Sequence, residues 1–227
     1  MNTRKYLAEL LGTFLFMTIG YLSVAAVAAD AVPTPGLLVV PFSFGFGLLA
    51  AIFAFGHVSG GHFNPAVTVA AVVDGRTSPM DAVGYIISQI IGAIGAAALV
   101  LVALNQEAVA SGITKPGPGV TDVGALIIET ALTAGFVAVI LAATRHATSL
   151  AALAIPLTLV AIHFASATLS GASVNPARSI GSALVGGDVS SLWIYLVAPT
   201  IGGVIGAIIF RVAAAEDPAP VEVPATV

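Results

Sequence analysis

The sequence predicts an all-α membrane protein: six transmembrane helices plus two re-entrant half-helices, related as an inverted repeat. Three observations lead there. Of 227 residues, 58% are apolar and only 8% are charged, against about 25% charged in an ordinary soluble domain; mean hydropathy is +1.07. Six apolar runs are each long enough to cross a bilayer core, which takes about 20 helical residues. An Asn-Pro-Ala triplet occurs twice, each time in an apolar stretch too short to cross. This composition excludes a soluble enzyme, whose surface could not be covered by so few charges. It also excludes a disordered chain, which would be poor in apolar residues.

The elements follow in order. The first run, 6–28, carries Glu9. Arg4 and Lys5 before it and Ala26-Val27-Ala28-Ala29 at its end are similar to a signal peptide and its cleavage site,. The run is long for that purpose, and Glu9 has a later counterpart, so it is read as a span. After Val32-Pro33-Thr34-Pro35-Gly36 comes the second run, 37–56, and then the first short stretch, 57–74. The third run, 79–104, leads to a loop containing Lys115-Pro116-Gly117-Pro118-Gly119. The fourth, 123–144, and fifth, 150–168, are joined by the Arg145–Ser149 link. The second short stretch, 169–185, precedes the sixth run, 190–213. Residues 1–213 are expected to form a single transmembrane domain with halves of about 1–114 and 115–213. Residues 214–227, with Glu216, Asp217, Glu222 and three prolines, read as a disordered cytoplasmic tail. Membrane strands would alternate apolar and polar residues over about 10 positions, and these runs do not alternate.

Charge sets the expected orientation. Six spans put Arg4, Lys5, Arg76, Arg145 and Arg211 on one side and Lys115 on the other. The positive-inside rule then makes both termini cytoplasmic, in a multi-pass protein of the plasma (inner) membrane. Seven Lys and Arg make no basic stripe, so no nucleic-acid partner is expected. The absence of cysteine excludes disulfides, thiolate metal sites and thiol catalysis,.

The two halves match. Ser59-Gly60-Gly61-His62-Phe63-Asn64-Pro65-Ala66 aligns without a gap on Ser170-Gly171-Ala172-Ser173-Val174-Asn175-Pro176-Ala177. Tyr85, Gly92 and Ala96 pair with Tyr195, Gly202 and Gly206, and Glu9 pairs with Glu129. Each half has three spans, an odd number, so the second half enters from the opposite face. Inverted repeats of this kind belong to transport proteins with a site near the bilayer midplane.

The triplet has a physical meaning. Asparagine is a strong N-cap and proline suits the first helical position, so Asn64 and Asn175 each start a helix. A half-helix of about 10 residues spans about 15 Å, so two of them from opposite faces add up to one membrane thickness. Their amino ends, each with about half a positive charge, then meet near the middle, with both Asn amides facing one space. Irregular backbone at that depth is tolerated only inside protein or beside a water-filled cavity. A pore is therefore expected. Arg178 sharpens the point. It sits at the third position of the second half-helix, where the dipole disfavours a cation, and Val67 occupies the matching place. A buried cation costs at least ~2.5–3.5 kcal/mol on insertion scales, a cost expected at a functional site.

These residues clearly resemble the aquaporin family, of bacterial orthodox water-channel type. The likeness covers residues 4–213 and rests on both Asn-Pro-Ala motifs, the Gly56–Phe63 lead-in and the Asn175-Pro176-Ala177-Arg178-Ser179 box. It implies six tilted helices plus two half-helices, a homotetramer with one pore per subunit, and water as permeant across the lipid bilayer. It also implies an outer constriction of Phe44, His163, Ala172 (by its carbonyl) and Arg178. A wider ring without His, and Asp in place of Ser179, are what glycerol-conducting relatives show. Ala172 and Leu196 depart from the Thr or Cys and the aromatic residue of many water channels.

Glu9 and Glu129 read either as a proton relay, the default for intramembrane acids, or, from their symmetric placement, as acceptors for unpaired N–H groups of the re-entrant loops. The resemblance favours bracing. His62 reads as a brace for its loop, with pore lining or gating as the other reading. Gly92, Ala96, Gly202 and Gly206 form small faces for close helix packing. The function expected is passive, bidirectional water flow, with no cofactor, no metal and no enzymatic chemistry. A pore for glycerol, urea, ammonia or hydrogen peroxide is the alternative. An adhesion or scaffolding role fits poorly with short outer loops, and an enzyme fits poorly with the lack of any nucleophile–base pair.

Overall fold

The computed structural model describes residues 3–31 and 36–214. The tail expected beyond Ala214 lies outside the described residues. Among those described, every regular element is helical. The six spans are Thr3–Ala28, Leu37–Ser59, Pro79–Ala103, Asp122–His146, Thr148–Ser170 and Leu192–Ala214. Two short helices, Pro65–Val73 and Pro176–Gly186, stand where half-helices were expected.

Local chemistry sets these boundaries. The Ser78 hydroxyl caps the third span by accepting from the Asp81 N–H, with Pro79 at the first position. Thr121 caps the fourth in the same way through Gly124. The second span runs further than its expected end at residue 56. It passes through a π-helical turn at Ile52–Gly56 and a last turn at His57–Ser59. Gly56 keeps a helical φ of −60°, and the helix stops only at Gly60, where φ is +94°. The fifth span stops likewise at Gly171, with φ +81°. A left-handed residue ends a helix, and glycine adopts that conformation without strain. The connection from 105 to 121 holds a short helix, Gln106–Ala110, capped by Asn105. One turn is too short to leave a periodic signal in the sequence.

The repeat is visible in the packing. The first span packs on the third and the fourth on the sixth, while the second and fifth meet across the halves. Small residues allow the close approaches. A Cβ on Gly92 would lie 2.5 Å from the Leu10 carbonyl oxygen, and one on Gly202 or Gly206 would collide with the Thr130 or Ala134 carbonyl. The first half-helix lies against the sixth span and the second against the third. Phe16, Met17, Tyr21, Phe44 and Phe63 fill the main core. Facing outward, Phe53, Ile127, Ile87 and Ile209 are more than half exposed. An apolar surface of that extent needs a lipid cover. The chain is a multi-pass membrane protein.

The half-helices enter from opposite faces. The first ends beside the chain-terminal ends of the spans: Arg211, near the end of the sixth, donates to the Val73 carbonyl at 3.0 Å, and Arg76 donates to the Leu141 carbonyl at 3.1 Å. The second ends at Gly186 against Ile113 and Ala110 of the 105–121 connection. Only their amino ends meet.

Candidate functional site

The meeting point is built from the two asparagines. The Asn64 side-chain oxygen accepts from the Ala66 N–H at 2.9 Å, and its amide donates to the Val174 carbonyl at 2.8 Å. Asn175 mirrors it: its oxygen accepts from the Ala177 N–H at 3.0 Å, and its amide donates to the Phe63 carbonyl at 2.9 Å. A flipped carboxamide would set donor against donor at the helix start and acceptor against acceptor at the opposite loop, so the orientation is fixed. Each amide has two donors. One is used crosswise to tie the loops together, and the other is left over. Pro65, Ala66, Pro176 and Ala177 behind them are buried.

The loops leading in are unusual backbone. Phe63, Ala172 and Val174 have φ of +48°, +46° and +43°, and Gly61 has +66°. For a β-branched residue such as Val174 a positive φ is an outlier that surrounding structure must hold. Two buried carboxylates meet these loops symmetrically. Glu9 accepts from the His62 and Phe63 N–H groups at 2.9 and 2.7 Å and from the Ser59 hydroxyl at 2.6 Å. Glu129 accepts from the Ser173 and Val174 N–H groups at 2.9 and 2.7 Å and from the Ser170 hydroxyl at 2.7 Å. Tyr85 and Tyr195 donate to the Ser59 and Ser170 carbonyls, each at 2.7 Å. His62 Nδ1 lies 3.1 Å from the Thr68 hydroxyl. That hydroxyl donates to the Asn64 carbonyl, so the ring nitrogen is the donor.

Towards the face away from the chain termini, Phe44, His163 and Arg178 come together. The Phe44 and His163 rings stack with centroids 4.5 Å apart, and the Arg178 guanidinium carbon lies 5.3 Å from the Phe44 centroid. His163 Nδ1 donates to the Leu159 carbonyl at 3.0 Å, which in the neutral ring leaves Nε2 as a bare acceptor. Arg178 donates from Nη1 to the Gly112 carbonyl at 3.2 Å. His163 Nε2 and Arg178 Nε are buried with no partner in the protein. Ala172 is fully buried in the core, and its neighbour Gly171 lines an outer vestibule with Arg178.

A cavity of about 180 Å³ connects these groups. Phe44, His163 and Arg178 line one end, Asn64 and Asn175 the middle, and Ile140, Thr144 and Ala151 the other end. It has room for several waters, each of which needs ~10–15 Å³ of such volume. Beyond Arg178 lies the vestibule walled by Ser111, Gly112, Ile113 and Lys115–Pro118. At the other end His62, Val67 and Thr144 also border a second mouth with Lys5 and Asp81. Among the described residues no three His, Cys, Asp or Glu side chains gather as a metal site requires.

Some site residues were not read from the sequence. Gln89 donates to Glu9 at 2.7 Å and to Thr68 at 2.9 Å; a glutamine within an apolar span is the signal that could have found it. The Tyr21 hydroxyl donates to the Arg178 carbonyl at 2.5 Å. Gly112 serves through its backbone carbonyl, which no residue type announces.

Paired half-helices with a cavity threading past their tips define a membrane channel. The chain belongs to the major intrinsic protein family: the family profile described as "Major intrinsic protein" matches residues 1–210. It is 42% identical to Aquaporin Z of Photorhabdus laumondii subsp. laumondii, over 94% of this chain and 98% of that one. It is 40% identical to Aquaporin Z of Rhodopseudomonas palustris, over 98% of each. It is also 40% identical to Glycerol uptake facilitator protein-like 6 of Lactiplantibacillus plantarum, over 94% of this chain and all of that one. The fold matches the X-ray structure of the aquaglyceroporin from Plasmodium falciparum with a TM-score of 0.83 at 22% identity, covering 92% of this chain and 96% of the other.

Proposed function

We propose that this chain is a passive, bidirectional water channel that excludes protons and ions. In this reading it works as a homotetramer in the plasma (inner) membrane, with one pore per subunit and both termini cytoplasmic. The observation that carries the reading is the pair of Asn amides. Each spends one donor on the opposite loop and keeps one for the same narrow cavity.

A solute entering from the vestibule meets Phe44, His163, Arg178 and the Ala172 carbonyl. The stacked rings limit width. His163 Nε2 accepts a hydrogen bond and Arg178 donates, so a water exchanges its bulk partners for these. The Arg178 charge repels cations. At the middle, water accepts from Asn64 and Asn175 together. Its lone pairs are then occupied and its hydrogens point away along the file, so it cannot relay a proton. The helix ends, each with about half a positive charge, add an electrostatic barrier to protons. Glu9 and Glu129 act as braces, since their oxygens are taken by loop donors. His62 holds its loop through Thr68. No bond is made or broken, and no cofactor is needed.

Two relatives bear the name Aquaporin Z, which favours water. One is named a glycerol uptake facilitator-like protein at similar identity, which favours glycerol as the second reading. Stopped-flow light scattering on reconstituted liposomes separates them. Water efflux faster than in empty vesicles, with glycerol entry no faster, is the expected result. Water flux at the empty-vesicle rate would end the water-channel reading, and fast glycerol entry would install the second.

A further inference from the structure

The repeat points to a residue outside both motifs. Thr68 and Ser179 each stand four residues after their Asn. In the first half, the Thr68 hydroxyl is held by Gln89 from the third span. Tyr85 pairs with Tyr195, so the residue matching Gln89 is Pro199, which has no polar side chain. The second half-helix lacks that anchor. The 105–121 connection replaces it: the Thr114 and Ser179 hydroxyls lie 2.7 Å apart, both buried.

The hydrogens of this chain can be counted. Ser173 donates to the Asn175 carbonyl at 3.0 Å. Ser179, 2.6 Å from Ser173, must then donate to it, and Thr114 must donate to Ser179, since each hydroxyl has one hydrogen. The chain therefore runs one way, from Thr114 through Ser179 and Ser173 to the carbonyl of the capping Asn175. Two residues before Thr114 is Gly112, whose carbonyl receives Arg178 Nη1. Thr114 also packs on Gly171, where an added Cβ would stand 3.0 Å from its methyl. A second tie, Gly117 N–H to the Leu169 carbonyl at 2.8 Å, closes the far side of the segment. The Arg178 backbone is fixed from the core by Tyr21, whereas the guanidinium is hydrogen-bonded by this segment.

We propose that Thr114 is a positioning residue: through Ser179 it holds the Gly112 carbonyl against Arg178 and so sets the solute selectivity of the constriction. The proposal rests on the constriction described above. Ser is required at 179 because it must accept and donate at once. A carboxylate there only accepts, so it would draw the Ser173 hydrogen away from Asn175.

The test uses the full-length channel in liposomes, with water and glycerol gradients compared in the same vesicles. Removing one hydrogen bond of this kind is expected to raise the glycerol-to-water permeability ratio of Thr114→Val about fivefold. Thr114→Ser, which keeps the donor, should restore the wild-type ratio. Ser179→Ala cuts the same link from the other side and should match Thr114→Val. With the empty-vesicle permeability to each solute subtracted, the ratio is independent of how much channel inserts, so a lower yield of folded protein does not mimic the effect. An unchanged ratio in both Thr114→Val and Ser179→Ala, or a Thr114→Ser ratio equal to that of Thr114→Val, overturns the proposal. Free glycerol passage through the wild type would instead overturn the water-selective reading, while the change in ratio would still report on Thr114.

Discussion

Val67 and Arg178 hold matching places at the starts of two similar half-helices, and in the proposed constriction that one difference supplies the charge. Arg178 is buried, with a guanidinium bonded to the Gly112 carbonyl and stacked near Phe44. Replacing Arg178→Val together with His163→Ala removes the charge and one of the stacked rings. Glycerol or urea entry should then rise above wild type in stopped-flow assays; unchanged exclusion would take both residues out of the filter. Glu129 makes a different demand. Both its oxygens accept from backbone N–H groups. In Glu129→Gln one oxygen becomes an NH₂ facing a donor, and a buried unsatisfied group costs about 1–3 kcal/mol. The melting temperature in detergent should fall, and Glu9→Gln should behave alike; a variant as stable as wild type would argue against bracing. Arg178 was legible in the sequence because it breaks the dipole rule at a helix start. Gly112 was not, since its contribution is a carbonyl that every residue has.

The half-helices owe their depth to small residues where they meet the spans behind them, Gly203 on the sixth span and Gly181 on the second half-helix. A Cβ on Gly203 would lie 2.6 Å from the Ala66 carbonyl oxygen, and one on Gly181 would lie 2.6 Å from that of Ala93. Backbone cannot yield as a flexible side chain can. Gly203→Val should therefore cost at least the ~1–3 kcal/mol typical of overpacking and displace the first Asn-Pro-Ala turn, seen as lower thermal stability and reduced water flux. Gly135 is the contrast: a Cβ there meets nothing within 4 Å. Gly135→Ala should leave flux unchanged and stability equal or higher, since Ala is favoured over Gly in a helix by roughly 1 kcal/mol. The ends of the two lead-in spans were only partly readable. Both Gly56 and Gly60 are plausible stops by composition, and the choice of Gly60 depends on which one takes a positive φ.

Across the whole molecule, six spans put both described ends of the chain on one side and the 105–121 connection on the other. The absence of cysteine makes the natural chain a clean background for testing this. Lys115 and Thr148 are both exposed. Lys115→Cys should react with a membrane-impermeant maleimide on intact cells, and Thr148→Cys only after permeabilisation. The reverse pattern would invert the proposed orientation. The same six-span order explains why the exposed surface is apolar around the bundle while the polar groups converge on one internal thread.

Amino-acid order alone was enough for the spans, the inverted repeat, the two capping asparagines and the expected grouping of Phe44, His163 and Arg178. The first three rest on side-chain type or spacing, which a sequence displays directly; the grouping rests on the resemblance to the aquaporin family. Folding in three dimensions decided the rest. It tied each Asn amide to the opposite loop's carbonyl, placed Gly112 against Arg178, and let Thr114 stand in where Pro199 has no side chain to offer. Those contacts join backbone atoms or residues 65 or more positions apart. Nothing along a linear chain encodes which carbonyl a distant donor will meet until packing brings the two within 3 Å or so of each other.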